Sequence, residues 1–303
     1  MTTAAQDSGI LVFASPLARR LAKEAGLDLA ALKGSGPHGR VVERDVQTAL
    51  ASGARAAPTP SPTKQFYTLD SYEEIPHDSM RKAIARRLTE AAQSIPHYYL
   101  TCDCDIDALL RVREDLNMAA PGVDEGKPAY KISVNDLIVK ALALALQKVP
   151  DANVTYTAEA MLRHKASDVA VAVSIPGGLI SPIVRNAEAK SLREISQEIK
   201  ELSQRARERQ LKPVEFEGGV SAVSNLGMFG VKHFTAVINP PQTTVLAVGA
   251  GEPRIVARNG APAVATVMTM TLSCDHRAVD GALGAALLAA VKRFIEHPAA
   301  MLV

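Results

Sequence analysis

The sequence predicts a mixed α/β fold, in which helices pack on one sheet, preceded by a small all-α domain. Three observations support this fold class. Helical and strand periodicities follow each other without strict alternation through residues 75–303, which is typical of a mixed sheet. A proline-rich segment separates this part from a shorter helical part. Hydrophobic residues make up 47% of the 303 residues, enough for a large core.

The charge balance and the length of the apolar runs argue against nucleic-acid-binding and membrane proteins. The chain has 34 Lys and Arg against 32 Asp and Glu, a net charge of +2, which is too small for non-specific nucleic-acid binding. No apolar run approaches the roughly 18 residues of a membrane span. The first 18 residues contain no Lys or Arg, unlike a signal or transit peptide. We therefore expect no nucleic-acid or membrane partner and a cytoplasmic protein, or a mitochondrial-matrix protein if a transit peptide has been removed.

The cysteines Cys102, Cys104 and Cys274 form no CxxC motif. An odd number without that spacing predicts neither a disulfide framework nor a zinc site, so no metal is expected. On a strand, Cys102 and Cys104 would share a face, where we interpret them as small apolar residues.

The segment 51–63, ASGARAAPTPSPT, contains no large apolar residue, and its alternating prolines are typical of a semi-rigid linker. With the polar run that follows, it predicts a linker over residues 51–74. The chain therefore divides into a tail (1–13), a small domain (14–50), the linker and a large domain (75–303).

The small domain is predicted to contain two short helices. Ser15 and Pro16 form an N-cap and a first-turn proline, and Leu17 and Leu21 follow at a spacing of four, as in an amphipathic helix. A second helix is expected over residues 43–51. Two helices of this size form a minimal binding module rather than an enzyme.

Between these helices, residues 34–39 read GSGPHG and match the GxGxxG pattern of phosphate-binding loops. The context contradicts that function, because a helix rather than a strand precedes the glycines and Pro37 removes one backbone N–H. We interpret the segment as a compact loop that needs glycine at positive φ.

The large domain begins with a predicted helix and a predicted strand. Met80, Ile84 and Leu88 lie on one face of a helix over residues 79–94, and alternating apolar residues predict a half-buried strand over residues 98–106. Further helices are expected at 107–118, 134–148, 191–210 and 282–296, and further strands at 168–175, 180–184, 219–224, 234–239, 243–249 and 263–273.

The strongest chemical signal is SCDHRAVDG, residues 273–281, between a predicted strand and a predicted helix. His276 lies at a strand end, Asp280 follows four residues later, and a glycine allows the chain to turn. This arrangement can hold a histidine in position as a general base. The same spacing also occurs where the aspartate only makes a hydrogen bond at a helix start. The other six histidines lie in loops or at element ends, where surface or locally hydrogen-bonded roles are usual.

A second candidate is Ser224, which lies in VSNLG at a strand end before a turn. A hydroxyl there can donate to a developing oxyanion, or it can cap the turn that follows. Cys274 is a rival nucleophile, because it lies two residues before His276 and residues two apart on a strand face the same way.

Residues 15–46, SPLARRLAKEAGLDLAALKGSGPHGRVVERDV, resemble the peripheral subunit-binding domain of 2-oxo acid dehydrogenase complex acyltransferases. The resemblance implies that Arg19, Lys23 and Arg40 contact an acidic patch on dihydrolipoamide dehydrogenase, on the 2-oxo acid decarboxylase component, or on both. The plainer alternative is that these side chains are solvated surface charges.

Residues 75–303 resemble the catalytic domain of the same acyltransferases, which implies a fold like that of chloramphenicol acetyltransferase. The motifs that carry the resemblance are IPHDSMRKAIARRLTEAAQSIPHYYLT, KISVNDLIVKALALALQKVPDANVTY, VAVSIPGGLISPIV, SNLGMFGVKHFTAVINPPQTTVLAVG and LSCDHRAVDGALGAALL. They are closest to the pyruvate dehydrogenase branch of the family, so acetyl is the expected acyl group.

The resemblance implies that His276 removes the proton from the thiol of one substrate, either dihydrolipoamide or coenzyme A. The resulting thiolate attacks the acetyl thioester of the other substrate. Ser224 would donate to the oxyanion, and Asp280 would hold the local geometry through a salt bridge to Arg81. The resemblance supplies no role for Cys274, since transfer between two thiols needs no acyl-enzyme.

The resemblance also implies a homotrimer, with His276 of one chain facing Ser224 of its neighbour, and a cubic or icosahedral core of trimers. The apolar C-terminal residues 299–303 are compatible with an assembly contact or with a frayed end. The family usually begins with a lipoyl domain, which this sequence lacks. We therefore expect the lipoyl group to come from another chain or from a missing domain.

Other functions are also compatible with parts of the sequence. A non-catalytic scaffold of such a complex would have lost the catalytic histidine, which is present here, and an acyltransferase of another 2-oxo acid complex would differ in its acyl group. A small-molecule acetyltransferase shares the HxxxDG pattern but has no use for a subunit-binding module. No phosphate-binding motif identifies the coenzyme A contacts.

Overall fold

The computed structural model of the chain describes residues 13–25, 29, 32–51, 63, 66–122 and 128–302. The chain divides into two units, Met1–Pro76 and His77–Val303. More than half of the predicted linker, and all of the predicted tail except Phe13, lie outside the described residues.

The small unit contains two helices, α1 (Pro16–Ala25) and α2 (Glu43–Ala51). A parallel bridge joins Ala14 to Val41 and places the two helices side by side. Its fully buried apolar side chains are small: Ala18, Ala22, Val41 and Val46. The predicted small all-α domain is confirmed, and its limited core is what two helices of this length can bury.

The GxGxxG segment forms the loop between these helices. A Cβ on Gly34 would overlap the Gly39 carbonyl oxygen, and Gly39 adopts a φ of 76°. The Asp45 carboxylate closes the loop by accepting hydrogen bonds from the backbone N–H of Ser35 at 2.9 Å and of Val42 at 3.0 Å. These contacts agree with the compact-loop interpretation, in which glycine is needed for close approach and positive φ.

A six-stranded mixed sheet is the centre of the large unit. The described strands of the large unit, inside and outside this sheet, are β1 (His97–Asp105), β2 (Val154–Tyr156), β3 (Met161–Arg163), β4 (Val169–Val171), β5 (Val173–Ile175), β6 (Gly178–Ile180), β7 (Ile183–Val184), β8 (Ser221–Asn225), β9 (Thr244–Arg258) and β10 (Ala261–Asp275). The strand order is β1-β10-β9-β8-β4-β7, and β2–β3 and β5–β6 are separate hairpins. β8 runs parallel to β4 and β9, and the other neighbours are antiparallel. The mixed sheet is therefore confirmed.

Helices cover this sheet. They are α3 (Ser79–Ser94), α4 (Asp107–Met118), α5 (Val134–Lys148), α6 (Leu192–Arg207), α7 (Pro213–Phe216) and α8 (Gly281–Glu296). The predictions for α3, α4 and α5 are confirmed at both ends. α5 packs against α8 and the sheet with Leu137, Leu142 and Leu146 fully buried. Among the residues described, no helix has the length and apolar character to cross a membrane.

The predicted strand at 234–239 is wrong. Backbone N–H groups of this segment bond to side chains instead of a neighbouring strand: Ala236 donates to Ser273 Oγ at 3.2 Å and Ile238 to His97 Nε2 at 3.0 Å. These acceptors belong to β10 and β1, so the segment crosses the sheet rather than extending its edge.

Other differences concern strand length. The predicted strands at 168–175 and 180–184 are each divided, because the chain leaves the sheet after β4 to form the β5–β6 hairpin and returns as β7. β9 and β10 are longer than predicted, since they continue past β1 and β8 as a ribbon closed by Asn259 and Gly260. β2, β3 and α7 are short elements that no sequence pattern predicted.

The chain end returns to the core. Met301 is only 6% exposed and packs with the large core, whereas Leu302 is 69% exposed. Val303 lies outside the described residues. Part of the apolar C-terminus is thus buried by the chain itself.

We predict that Gly249→Ala destabilises the large unit by about 2 kcal/mol or more, because a Cβ at this position would overlap the Lys232 carbonyl oxygen and backbone must move to make room. Urea unfolding measures the effect. Gly122→Ala is the control, since a Cβ there meets open space. Equal loss of stability in both variants would contradict the packing argument.

Candidate active site

His276 occupies the turn between β10 and α8. β10 ends at Asp275, and His276 begins a turn that leads into α8 at Gly281. The His276 side chain is exposed, and its backbone N–H donates to the Pro96 carbonyl at 3.1 Å. Neither ring nitrogen of His276 has a hydrogen-bond partner within the described part of the chain. The imidazole is therefore accessible to a substrate.

An ion pair between buried Asp275 and exposed Arg277 holds this turn. Asp275 is only 2% exposed and accepts from Arg277 Nε at 3.0 Å and from its Nη2 at 2.8 Å. The Arg277 backbone N–H also donates to Asp275 at 3.0 Å, and the Arg277 guanidinium lies 4.3 Å from the Tyr156 ring centroid. The bond to Asp275 raises the pKa of Arg277. His276 therefore lies between two residues that fix each other.

Asp280 is the N-cap of α8. Its Oδ1 accepts from the Leu283 backbone N–H at 2.8 Å, a bond that satisfies one of the free N–H groups at a helix start. This is the helix-start role that the sequence left open beside the catalytic one. The Asp280 carboxylate thus sets where α8 begins relative to His276.

Tyr98 links His276 to the start of α8. Its hydroxyl donates to the Asp280 carbonyl at 2.6 Å, and its ring centroid lies 4.9 Å from that of His276, tilted by 59°. A Cβ on Gly284 would lie 2.5 Å from the Tyr98 hydroxyl, so glycine makes room for the tyrosine. Burial raises the pKa of Tyr98. No sequence pattern predicts this contact; Gly284, one helical turn after Asp280, is the position in the sequence that leaves room for it.

Two of the other histidines have the local roles that the sequence predicts. His97 Nδ1 bonds to the Ile95 carbonyl at 2.9 Å and its Nε2 accepts from Ile238 N–H at 3.0 Å. His164 Nε2 bonds to Thr155 Oγ1 at 3.0 Å. With both nitrogens engaged by backbone, His97 is not free to exchange a proton with substrate.

Ser224 lies near the end of β8 and is half-buried. Its hydroxyl makes no hydrogen bond within the described residues. The turn after it is capped by its neighbour, because Asn225 Oδ1 accepts from the Gly227 N–H at 2.9 Å. The capping role that the sequence left open for Ser224 therefore belongs to Asn225, which leaves the serine hydroxyl available as a donor.

Close packing determines the position of the loop after Ser224. A Cβ on Gly227 would meet the Gly249 carbonyl oxygen at 2.7 Å, and the Ala250 N–H donates to the Val231 carbonyl at 2.8 Å. The loop is thus held against β9 on both sides of its turn.

His276 and Ser224 lie far apart within one chain. Ser224 is level with Thr271 of β10, because Ser224 pairs with Ala247 and Ala247 with Thr271. His276 follows Thr271 by five residues, a separation of roughly 15 Å along the strands and roughly 10 Å across them. One small reacting group cannot touch both side chains of the same chain.

The structure does not bring Arg81 and Asp280 together. Arg81 is near the start of α3, where its N–H donates to Asp78 Oδ1 at 2.7 Å, whereas the His276 turn contacts Pro96 beyond the other end of that helix. The 13 residues from Arg81 to Ser94 span about 20 Å along a helix axis. The expected salt bridge is therefore absent within the chain over the described residues.

The cysteines are poorly placed for catalysis. Cys274 is fully buried, and burial raises the pKa of its thiol to about 11. Cys102 and Cys104 share a face of β1, as predicted, with their sulfurs 3.9 Å apart; the contact lowers the pKa of Cys102 and raises that of Cys104. Across the described residues, no cluster of three or more His, Cys, Asp or Glu side chains is arranged to hold a metal ion.

Two of the basic residues predicted to bind a partner are exposed on the small unit. Arg19 Nε donates to the Ala14 carbonyl at 3.4 Å, and the Arg40 guanidinium lies 5.8 Å from the Phe13 ring centroid. The side chain of Lys23 lies outside the described part of the chain.

Each of the two units matches a known protein family. Residues 69–303 match the profile of the 2-oxoacid dehydrogenases acyltransferase catalytic domain, and residues 12–47 match that of an E3 binding domain. Each match covers nearly the whole of one predicted domain.

Individual relatives agree with the family profiles. The chain is 59% identical, over 97% of its length and 69% of the relative, to the dihydrolipoyllysine-residue acetyltransferase component of the pyruvate dehydrogenase complex of Rhizobium meliloti. Its structure is similar to that of Azotobacter vinelandii dihydrolipoamide acetyltransferase, with a TM-score of 0.73 and 26% identity over 82% of this chain and 100% of the other. The same values hold for a structure of the cubic core of the pyruvate dehydrogenase multienzyme complex.

Most of the chain matches one family profile. The chain also has high identity to a relative and spans about two thirds of that relative's length. The chain belongs to the 2-oxoacid dehydrogenase acyltransferases.

Proposed function

We propose that this chain transfers an acetyl group between dihydrolipoamide and coenzyme A in the core of a pyruvate dehydrogenase complex. The observation that carries the proposal is the exposed imidazole of His276 on a turn held by an ion pair between the buried Asp275 and Arg277. The acetyl group and the complex are inferred from the Rhizobium meliloti relative. The retained histidine favours an enzyme over a non-catalytic scaffold of such a complex.

The spacing of the candidate residues supports their roles. The Azotobacter vinelandii enzyme is described with a serine, a histidine and an asparagine in its catalytic mechanism, the histidine 52 residues after the serine and the asparagine four residues after the histidine. Ser224, His276 and Asp280 have the same spacing. An aspartate in place of asparagine keeps the side-chain oxygen that caps α8.

In the proposed reaction, His276 takes the proton from the coenzyme A thiol, whose ordinary pKa near 8.5 keeps it mostly protonated at neutral pH. The thiolate attacks the thioester carbonyl of acetyl-dihydrolipoamide, and the carbonyl oxygen becomes an oxyanion that accepts a hydrogen bond from Ser224. The tetrahedral intermediate then expels the dihydrolipoamide thiolate, which takes the proton back from His276. The reverse reaction uses the same groups in opposite order.

The separation of His276 and Ser224 supports an active site shared between two chains. We propose a homotrimer, in which His276 of one chain meets Ser224 of the next, because a head-to-tail contact of this kind closes into a ring. The similarity to a cubic core structure supports further assembly of trimers into a cubic core, with an icosahedral core as the alternative.

The small unit supports a docking function. Its match to an E3 binding domain and the exposed Arg19 and Arg40 favour an acidic surface on dihydrolipoamide dehydrogenase, on the decarboxylase component, or on both; Lys23 is assigned the same role from the sequence. The lipoyl group is proposed to come from another chain or from a domain outside this sequence. The relatives are bacterial and mitochondrial, so we propose the cytoplasm of a bacterium or the mitochondrial matrix as its compartment.

We predict that His276→Ala lowers kcat for acetyl transfer from acetyl-coenzyme A to free dihydrolipoamide by about 10²- to 10⁴-fold, because the general base is lost. The assay follows coenzyme A release, with the assembly of each protein checked by size. His77→Ala, which removes another exposed histidine, is the control and is expected to be fully active. A correctly assembled wild type without activity would leave only the scaffold function.

We predict that Ser224→Ala lowers kcat by about 10²- to 10³-fold with little change in KM, because the hydroxyl acts on the oxyanion rather than on bound substrate. Ser203→Ala is the control, because Ser203 is a half-buried serine on α6, as Ser224 is on β8. A rise in KM with kcat unchanged would assign Ser224 to substrate binding instead.

We predict that His276→Ala and Ser224→Ala chains complement each other when they are denatured and refolded together. A shared site is intact only where one variant supplies histidine and the other serine, so about a quarter of wild-type activity returns in random trimers. Each variant refolded alone is the control. If mixed assemblies form but stay as inactive as the single variants, both residues act within one chain or in different sites.

A further inference from the structure

The imidazole of His276 has no orienting hydrogen bond within the described residues. A histidine that acts as a base is usually held by a partner on its second ring nitrogen, which fixes the tautomer and the ring direction. Asp275 and Arg277 are used by each other, and the Asp280 carboxylate is used by α8. The turn is therefore well anchored through its backbone, while the His276 ring needs another support.

Tyr98 is the side chain whose ring lies against the His276 imidazole, with 4.9 Å between the ring centroids. The rings are tilted by 59° to each other, and the centroid distance lies within the range over which aromatic pairs interact. This contact limits the rotation of the imidazole toward β1.

Tyr98 is itself fixed at both ends. Its backbone pairs with Cys274 in the β1–β10 ladder, and its hydroxyl donates to the Asp280 carbonyl, which also accepts the first helical bond of α8 from Gly284. A side chain larger than glycine at position 284 would displace the hydroxyl. Because the Tyr98 side chain is held at its backbone and at its hydroxyl, its ring has little freedom to move away from the imidazole.

We propose that Tyr98 is a positioning residue for His276, whose ring sets the direction of the imidazole. This inference rests on the proposed function, in which His276 is the base. It goes further, because it assigns the orientation of the base to an aromatic side chain on a different strand rather than to Asp280.

The test compares three variants in the acetyl-transfer assay. Tyr98→Leu removes the ring and is expected to lower kcat by about 100-fold, because displacement of a catalytic group by about 1 Å has effects of this size. KM for acetyl-coenzyme A and for dihydrolipoamide is expected to stay within about twofold. Tyr98→Phe keeps the ring, and the Asp280 carbonyl keeps its bond to Gly284, so most of the activity is expected to return.

Tyr130→Leu is the matched control, since it removes another half-buried tyrosine ring that packs on the core away from this turn. Its kcat is expected to equal that of the wild type. Urea midpoints and particle size are measured for all variants, so that kcat refers to folded and assembled protein.

Three results would overturn the proposal: a Tyr98→Leu variant with wild-type kcat, a loss of kcat that follows only its loss of folded protein, or a Tyr98→Phe variant as inactive as Tyr98→Leu. Failure of the proposed function is seen separately, because His276→Ala would then retain activity or the wild type would have none.

Discussion

The antiparallel pairing of β9 with β10 is the interaction on which the large unit depends. β10 lies between β1 and β9, and its residues from Val267 to Asp275 are buried. β8 pairs with the other edge of β9 and carries Ser224. Because pairing register sets which residues are level with each other, these strands place Ser224 level with Thr271, five residues before His276 and two strands away from it. That separation is what motivates the proposal of a site shared between chains.

The turn after β10 combines contacts of different kinds around one exposed side chain. A buried carboxylate and a guanidinium fork fix the residues on either side of His276, and a helix cap fixes the residue four positions later. Such preorganisation matters for a general base, because rate depends on holding the proton acceptor in place before the substrate arrives. Several hydrogen-bonding groups of the turn are used by the protein, whereas the imidazole nitrogens have no partner among the described residues.

Two of the protein's three thiols, Cys104 and Cys274, are buried and have raised pKa values. Burial raises the pKa of Cys274 to about 11, and Cys104 is buried beside Cys102. A thiol that stays protonated and inaccessible is a poor nucleophile. Cys274, the cysteine next to the candidate site, is therefore a poor competitor for an acyl group that passes between two substrate thiols.

The sequence alone determined the elements whose signals are local. Helical spacing and capping residues predicted α3, α4 and α5 to the residue, and the strand–turn–helix pattern around residues 273–281 identified His276. The separate small helical unit was likewise predicted from the linker composition and short apolar spacing.

Tertiary structure decided what depends on partners distant in sequence. Residues 234–239 have the composition of a strand, but their N–H groups bond to Ser273 and His97 and the segment crosses the sheet. The turn cap went to Asn225 rather than Ser224, and Asp280 capped α8 instead of reaching Arg81, because α3 holds Arg81 a helix length away. Tyr98 meets His276 only because β1 pairs with β10. Periodicity records which face of an element is buried, and only the folded chain shows which groups meet there.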